Sequence, residues 1–403
     1  MKYVIRILAL SVFVLSGSQL FADYLSNQLR LAAVKNGYRI PSEVNFLFDD
    51  DKADLGEIFF NSKELSLNGN TSCSSCHLDK FSSADGIPNA IGVGGEGEGF
   101  HRLSGVGALV PRNTLPLWGR ASTDFAAFFW DGKVEKANGS IKSQFGSDAP
   151  SDDALTVAIH LPFLEIREMV VDNDFVNQTL KTETVNSALD LQTILFERVK
   201  SELKLGSKLK TAFSVDYDEI SFLHIAESIK HFFAKKFALR PSRFSEFIEM
   251  KIELSEREVQ GGLTFYGKGM CSACHSGAHF TDFDYHTILY PQAGPGKNGF
   301  GSDYGRFNFT LNFEDFNKFR TPPLHNVVKT GPYGHSGSVF DLKSAIRGHY
   351  DPFTLYDFSA MSDLQRRELY QRAVSISGSQ PVPSALSEEE INELIEFLGA
   401  LSF

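Results

Sequence analysis

The chain has 403 residues, enough for two or three domains and a sizeable buried core. Hydrophobic residues make up 42% and charged residues 22%, a globular composition that excludes a disordered or multi-spanning chain. The formal net charge of −11 argues against unassisted binding to nucleic acid or an anionic membrane, and is compatible with a small basic protein partner. Phenylalanine stands out at 36 residues, beside 12 tyrosines and 2 tryptophans. Such side chains can line large apolar pockets, with plain core packing as their ordinary use.

At the N-terminus Lys2 and Arg6 precede a mostly apolar stretch from Ile7 to Leu15, and small or polar residues then lead to Ala22-Asp23. This is the layout of a secretory signal peptide covering 1–22 and cut near Ala22. A retained N-terminal anchor is the alternative. No other apolar run approaches the roughly 18 residues of a membrane span, so the exported chain is expected to be soluble once the leader is removed.

Next in the chain comes Cys73-Ser-Ser-Cys76-His77, and the same pattern returns at Cys271-Ser-Ala-Cys274-His275. Four cysteines in an exported protein would ordinarily suggest two disulfides. Two complete C-x-x-C-H pentapeptides are instead the attachment signature of c-type haem. The two thiols add to the haem vinyl groups, and the adjoining histidine is placed under the iron as its proximal ligand. Structural zinc would use the same thiols, but the motifs lie about two hundred residues apart, unlike a compact ribbon. A thioredoxin-like pair needs no following histidine. The motifs therefore predict two covalent haems and no disulfide.

Two haems divide the mature chain into a half from 23 to 212 and a half from 213 to 403. The first is poor in periodic pattern and holds the Gly-rich stretch 92–107 and the turn-rich stretch 131–153, so long loops are expected around its haem. Within it Gly92-Val-Gly94-Gly-Glu-Gly97 satisfies a dinucleotide-binding pattern. No strand pattern precedes it, no helix pattern follows, and Glu96 and Glu98 would repel a pyrophosphate, so it reads as a turning loop.

A helix is predicted near Glu219–Leu239, where Phe222, Ile225, Ala226, Ile229 and Phe233 recur at helical spacing and Pro241 ends the run. Another begins at the capping box Ser255-Glu-Arg-Glu258 and leads into the second haem motif. The last helix repeats the device at Ser387-Glu-Glu-Glu390, with Ile391, Leu394, Ile395 and Leu398 as its apolar stripe. It is a candidate to pack back on the first half. No strong period-2 alternation appears, and the fold class is mainly α with long connections.

The order of short motifs resembles the bacterial di-haem cytochrome c peroxidases and their MauG-type relatives over nearly all of the mature length. The matching stretches begin with Gly56-Glu-Ile-Phe-Phe-Asn-Ser-Lys-Glu-Leu-Ser ahead of the first haem motif. Pro111-Arg-Asn-Thr, Phe129-Trp-Asp-Gly132, Arg167-Glu-Met169 and the second haem motif follow. The last runs from Phe319-Arg-Thr-Pro-Pro-Leu-His through to Gly-Pro-Tyr-Gly-His335-Ser-Gly.

The resemblance implies two c-type cytochrome-like haem domains with divided labour. The haem on Cys73, Cys76 and His77 would be peroxidatic, with an open or openable sixth position. The haem on Cys271, Cys274 and His275 would be six-coordinate and pass electrons. Trp130 matches the tryptophan between the haems, and a plain core aromatic is the bland alternative. Asn113, Thr330 and Pro332 match the ligands of a calcium ion held between the domains, a neutral oxygen set that suits a hard cation. Glu168 matches the distal glutamate, which moves a proton between the two oxygens of peroxide. Glu165 is its rival if the segment is helical.

The sequence departs from the family pattern at two ligand positions. Val93 stands where peroxidases that need reductive activation carry a distal histidine, and valine cannot bind iron; His101 is nearby as a substitute. The distal ligand of the C-terminal haem, fourteen residues after the histidine of the Pro-Tyr-x-His motif, falls on His349, with Tyr350 next and Met361 unsupported by any motif. Ligation by His275 and His349 would lower the potential relative to a histidine–methionine pair. His279, His286 and His325 are assigned no role.

The expected function is that of a periplasmic di-haem peroxidase, reducing hydrogen peroxide to water with electrons from a small c-type cytochrome or similar donor. A MauG-like enzyme that uses peroxide to oxidise a partner protein is the nearer alternative, favoured by Val93 and the absent methionine ligand. A non-catalytic di-haem electron carrier is the distant one, since a carrier needs neither an open haem nor a distal carboxylate.

Overall fold

A computed structural model describes residues 20–171, 184–203, 205–376, 381 and 383–403. The leader expected at 1–22 lies outside the described residues as far as residue 19. Among those described, α1 spans 20–35, α2 Asp50–Asn61, α3 Ala154–His160, α4 Val185–Leu203, α5 Gly206–Phe213 and α6 Phe222–Lys236. They are followed by α7 Arg243–Ile248, α8 Glu256–Tyr266, α9 Leu342–Arg347, α10 Asp363–Val374 and α11 Glu388–Ala400. None is long and apolar enough to cross a membrane. The connections at 62–126 and 267–341 hold only short turns, one helical turn and two-residue strands.

The capping residues read from the sequence start the helices as expected. Ser255 accepts from the Glu258 backbone N–H at 3.2 Å while the Glu258 carboxylate takes the Ser255 N–H at 2.7 Å. Ser387 and Glu390 do the same at 3.2 and 2.7 Å. Each box satisfies two backbone donors that a helix start leaves free.

Two apolar cores organise the helices. In the first, α6 buries Phe222, Ile225, Ala226, Ile229 and Phe233 against α2 and α3. The crossing of α2 on α6 is close because position 56 is glycine; a Cβ there would lie 2.0 Å from the Ser228 carbonyl oxygen. The second core joins α8 to α11, where Gly261 lets the Glu393 backbone approach in the same way. Much of the phenylalanine is spent here, as in the packed group Phe244, Phe265, Phe280 and Phe397.

Neither end of the chain respects a division at residue 212. α5, which straddles it, and α6 beyond it share the first core. Leu29, Ala33 and Tyr38 are buried in the second core, with Leu29 facing Gly262. α11 lies in that second core, where Phe397 and Leu29 both meet Gly262, so it packs on residues of the 23–212 half; the tail beyond it also reaches that half, where the Phe403 ring meets Trp118 at 4.9 Å. Spacing between haem motifs locates two centres, whereas core membership follows apolar helix faces that the spacing does not register.

Two small antiparallel sheets set the junction of the halves. β1 (Ala127–Phe128) pairs β2 (Val134–Ala137), which pairs β3 (Ser140–Ser143). β4 (Tyr285–His286) pairs β5 (Phe319–Arg320) in the register Tyr285 to Arg320. The Arg320 N–H donates to the Trp130 carbonyl at 2.8 Å, so the second residue past β1 is stitched to β5 across the junction.

Candidate active site

Each C-x-x-C-H motif opens on a single 3₁₀ turn, Cys73–Ser75 and Cys271–Ala273, which turns two sulfurs and one imidazole to the same cavity wall. The backbone N–H of His77 closes onto Cys73 at 3.0 Å and that of His275 onto Cys271 at 2.8 Å. The four cysteines form no disulfide. Burial pushes the Cys73, Cys76 and Cys271 thiols up to about 12, which is unsuited to a nucleophilic thiolate pair.

The two imidazoles are oriented alike. His77 Nδ1 lies 2.8 Å from the Ser83 carbonyl and His275 Nδ1 lies 3.0 Å from that of Phe280. A carbonyl only accepts, so the proton sits on Nδ1 and leaves the Nε2 lone pair for a metal. Burial lowers both histidines to about 4, which keeps them neutral at pH 7.

The first cavity adds a carboxylate. Residues 165–170 form a tight turn rather than a helix, in which the N–H groups of Glu168, Met169 and Val170 all point to the Glu165 carbonyl. Arg167 adopts φ of 74°, a left-handed conformation costly for a residue with a Cβ, immediately before Glu168. Glu165 and Glu168 both line the cavity, yet their surroundings differ. Glu165 is ion-paired to buried Lys133, whose charge overcomes burial and holds the Glu165 carboxyl below its ordinary range. The Glu168 carboxylate has no hydrogen bond or ion pair among the described residues, and burial, then the Glu165 charge, pushes it up to about 7.

The second cavity has a different far wall. His349, just past α9, faces His275 with ring centres 6.4 Å apart and planes at 65°. Two imidazoles bound to opposite faces of one metal have ring centres roughly 6 Å apart, given metal–nitrogen bonds of about 2.0–2.1 Å. The spacing thus fits a metal between them. His349 Nδ1 donates to the Ala345 carbonyl at 2.8 Å, with the Tyr290 hydroxyl at 3.2 Å, so its Nε2 is likewise free. Tyr350 also lines this cavity, whereas Met361 does not.

Trp130 lines both cavities. Its indole N–H donates to the Asn113 carbonyl at 2.9 Å, and the preceding Phe129 is held at φ of 66°. The Asn113 amide meets the Pro332 carbonyl at 2.7 Å, and Thr330 lies on the same wall of the second cavity. Val93 is buried and exposed His101 sits on a 3₁₀ turn; neither lines the first cavity. His279, His286 and His325 each hydrogen-bond a protein oxygen, from Asp124, Asp282 and Ala278 respectively.

Sequence reasoning missed Lys133, Lys297 and Tyr290. Lys133 follows directly on the Phe129–Gly132 motif, and that adjacency was the available signal. Lys297 reaches the first cavity from the second half and stands 3.6 Å from Asp131. Nothing local in the sequence marks Tyr290. The structure also gathers Cys274, Asp282 and His286 within 4.8 Å of one another, but a sulfur spent on a thioether is lost to a separate metal site.

A family model described as di-haem cytochrome c peroxidase matches residues 50–253. The chain belongs to that family. Its cofactors are therefore haems, and it is an oxidoreductase. Among its di-haem relatives, the methylamine utilization protein MauG of Methylorubrum extorquens is 25% identical over 364 residues, covering 85% of this chain and 84% of the relative. The cytochrome c551 peroxidase of Pseudomonas aeruginosa is 24% identical over 374 residues, covering 90% and 83%. A crystal structure of a MauG-like protein associated with microbial copper homeostasis aligns with a TM-score of 0.61 at 24% identity, over 91% of this chain and 93% of the other. The di-haem peroxidase BthA of Burkholderia thailandensis aligns at 0.62 and 19% identity, over 91% and 89%. These two structural likenesses establish the fold.

Proposed function

We propose that the chain is a periplasmic di-haem peroxidase that reduces hydrogen peroxide to water with electrons from a small c-type cytochrome or similar donor. The observation that carries this reading is the asymmetry of the two cavities. One holds His77 and an unpaired carboxylate, and the other holds two facing histidines. In this reading Cys73 and Cys76 attach the first haem and His77 binds its iron. Cys271 and Cys274 attach the second, with His275 and His349 as its iron ligands.

A haem on His77 supplies a redox-active Lewis acid to which peroxide can bind. The chain does the rest. Glu168 takes the proton from one oxygen of hydrogen peroxide and returns it to the other, which leaves as water. A carboxyl poised near pH 7 serves both directions of that transfer. Lys133 restrains Glu165 and so keeps the second carboxylate out of the exchange. Trp130, shared by both cavities and fixed through its N–H, lies where electrons from the second haem enter the first cavity.

A calcium ion between the halves is part of the proposal, with Asn113, Thr330 and Pro332 as ligands. Turning the Asn113 amide by half a turn replaces its N–H with Oδ1 beside the Pro332 carbonyl, giving two neutral oxygens for a hard cation. A MauG-like oxidation of a partner protein is the second reading, favoured by Val93 in the buried loop and by His349 where a methionine is absent. Steady-state reduction of peroxide with reduced small c-type cytochromes tests the choice. Turnover supports the peroxidase; absence of turnover with every donor, in protein that still reacts with peroxide, favours the second reading.

A further inference from the structure

Two arginines at the junction of the halves are buried without a carboxylate partner. Arg120, 5% exposed, lines the first cavity and donates Nε–H to the Pro116 carbonyl at 2.9 Å. Arg320, 1% exposed, lines the second cavity; its Nε–H goes to the Phe129 carbonyl at 2.9 Å and its Nη1 to the Thr321 carbonyl at 3.0 Å. Its Nη2 has no hydrogen-bond partner among the described residues. No ion pair of either guanidinium occurs among the described residues. The nearby acids are already engaged, Asp131 by Arg112 at 2.6 Å and Asp282 by His286 at 2.8 Å.

The two charges are also close to each other. The Phe125 ring centre lies 4.6 Å from the Arg120 Cζ and 5.8 Å from the Arg320 Cζ, which puts the pair within about one Debye length, about 10 Å. Burial depresses both guanidiniums, Arg320 to about 10, and for Arg120 the Arg320 charge adds to the effect. An unpaired buried ion is strongly disfavoured, and two of like sign more so. The protein alone does not balance this arrangement.

We propose that Arg120 and Arg320 bind haem propionates, Arg120 those of the haem in the first cavity and Arg320 those of the haem in the second. The assignment rests on the family reading that each cavity holds one haem. Each haem carries two carboxylates on the edge opposite its thioether-forming vinyl groups. A guanidinium fork matches a carboxylate with two parallel hydrogen bonds. The pairing turns both propionate edges toward the junction, where Arg320 is joined to Trp130 through the backbone. The electrons exchanged between the haems then cross at the edges that these arginines hold.

The experiment compares Arg120→Gln, Arg120→Lys, Arg320→Gln and Arg320→Lys in the haem-loaded full chain, by redox titration of both haems. Mass spectrometry of the wild type checks separately that two haems are attached; one or none sinks the family reading rather than this one. Loss of the positive charge is expected to lower the midpoint potential of one haem only, the N-terminal one in Arg120→Gln and the C-terminal one in Arg320→Gln. The lysine variants should stay closer to the wild type. Unmoved potentials in both glutamine variants overturn the assignment, as do lysine variants that shift as far as the glutamine ones. If a glutamine variant does not accumulate, the lysine variants are read by the propionate bending modes in resonance Raman spectra. Those modes should shift at the haem concerned, and wild-type modes in both variants overturn the proposal.

Discussion

Glu165 and Glu168 share one turn and both line the first cavity, yet Lys133 pairs with Glu165 and leaves the Glu168 carboxylate without an ion-pair partner among the described residues. One carboxylate is thereby held ionised, and its charge helps keep a proton on the other. In the proposed reading the lysine decides which glutamate moves protons, because it pairs with one and not the other.

Replacing Glu168 with glutamine keeps size and hydrogen bonding while removing the proton shuttle. Peroxide turnover should fall by about two orders of magnitude, a transition-state loss of about 2.7 kcal/mol, with haem content unchanged. Glu165→Gln should cost little at pH 8, and should move the pH midpoint of the peroxide reaction downward. It removes a neighbouring negative charge and frees Lys133, and both changes favour ionised Glu168. Stopped-flow rates across pH 5–9 read both effects, and a crippled Glu165 variant beside an active Glu168 variant would reverse the assignment.

The raised Glu168 carboxyl also makes a statement about stability. Its folded value, about 7, lies above the ordinary 4.5, so the fold binds this proton more tightly than the unfolded chain does. The stability gained from that proton is complete below 4.5 and is lost as the pH rises toward 7. Glu168→Gln should therefore melt higher than the wild type at pH 8, with the gap closing by about pH 4. Thermal melts at the two pH values check it; an equal gap at both means the carboxyl does not titrate as stated.

His349→Ala should convert the C-terminal haem from low spin to high spin while both haems remain attached. Tyr350→Phe should leave the spectrum as it is. If EPR shows the opposite pattern, the ligand lies one residue further along the chain.

With Val93 in place of a distal histidine and His101 away from the cavity wall, the oxidised protein should show one high-spin haem. It should react with peroxide without prior reduction. Two low-spin haems in the resting optical and EPR spectra, silent to peroxide until partly reduced, would falsify this expectation.

Calcium should raise the melting temperature of chelator-treated protein, and the rise should vanish in Asn113→Ala. That variant keeps the Asn113 carbonyl that receives the Trp130 N–H, so the effect reads the amide alone. A calcium response of wild-type size in Asn113→Ala removes this residue from the ligand set.

The haem motifs and the helix starts were legible because each is local. Five consecutive residues make C-x-x-C-H, and a capping box needs only Ser255 and Glu258 or Ser387 and Glu390. Glu168, Trp130 and His349 needed the family resemblance, since their neighbours in sequence say nothing about a cavity. What stayed hidden depends on contacts between distant segments. Lys297 enters the first cavity from the other half, Tyr290 meets His349 across some sixty residues, and α1 is buried against α8 and α11. Whether Glu165 and Glu168 share a helical face was open in the sequence; the segment is a turn, because the backbone N–H groups after Glu165 converge on one carbonyl.

The burial of Leu29 against Gly262 makes the first core an insertion within the second. The second core is closed by α1 and α11, which lie far apart along the chain, so its assembly waits until α11 has been made. Contacts that span so much sequence close slowly. A fragment beginning near residue 240 would keep every residue of the second haem motif yet lack the leucine that fills the notch at Gly262. A void of that kind costs about 2–5 kcal/mol, a large share of what holds a domain of this size together. The two haem centres can be counted separately along the sequence, but they cannot be cut apart there.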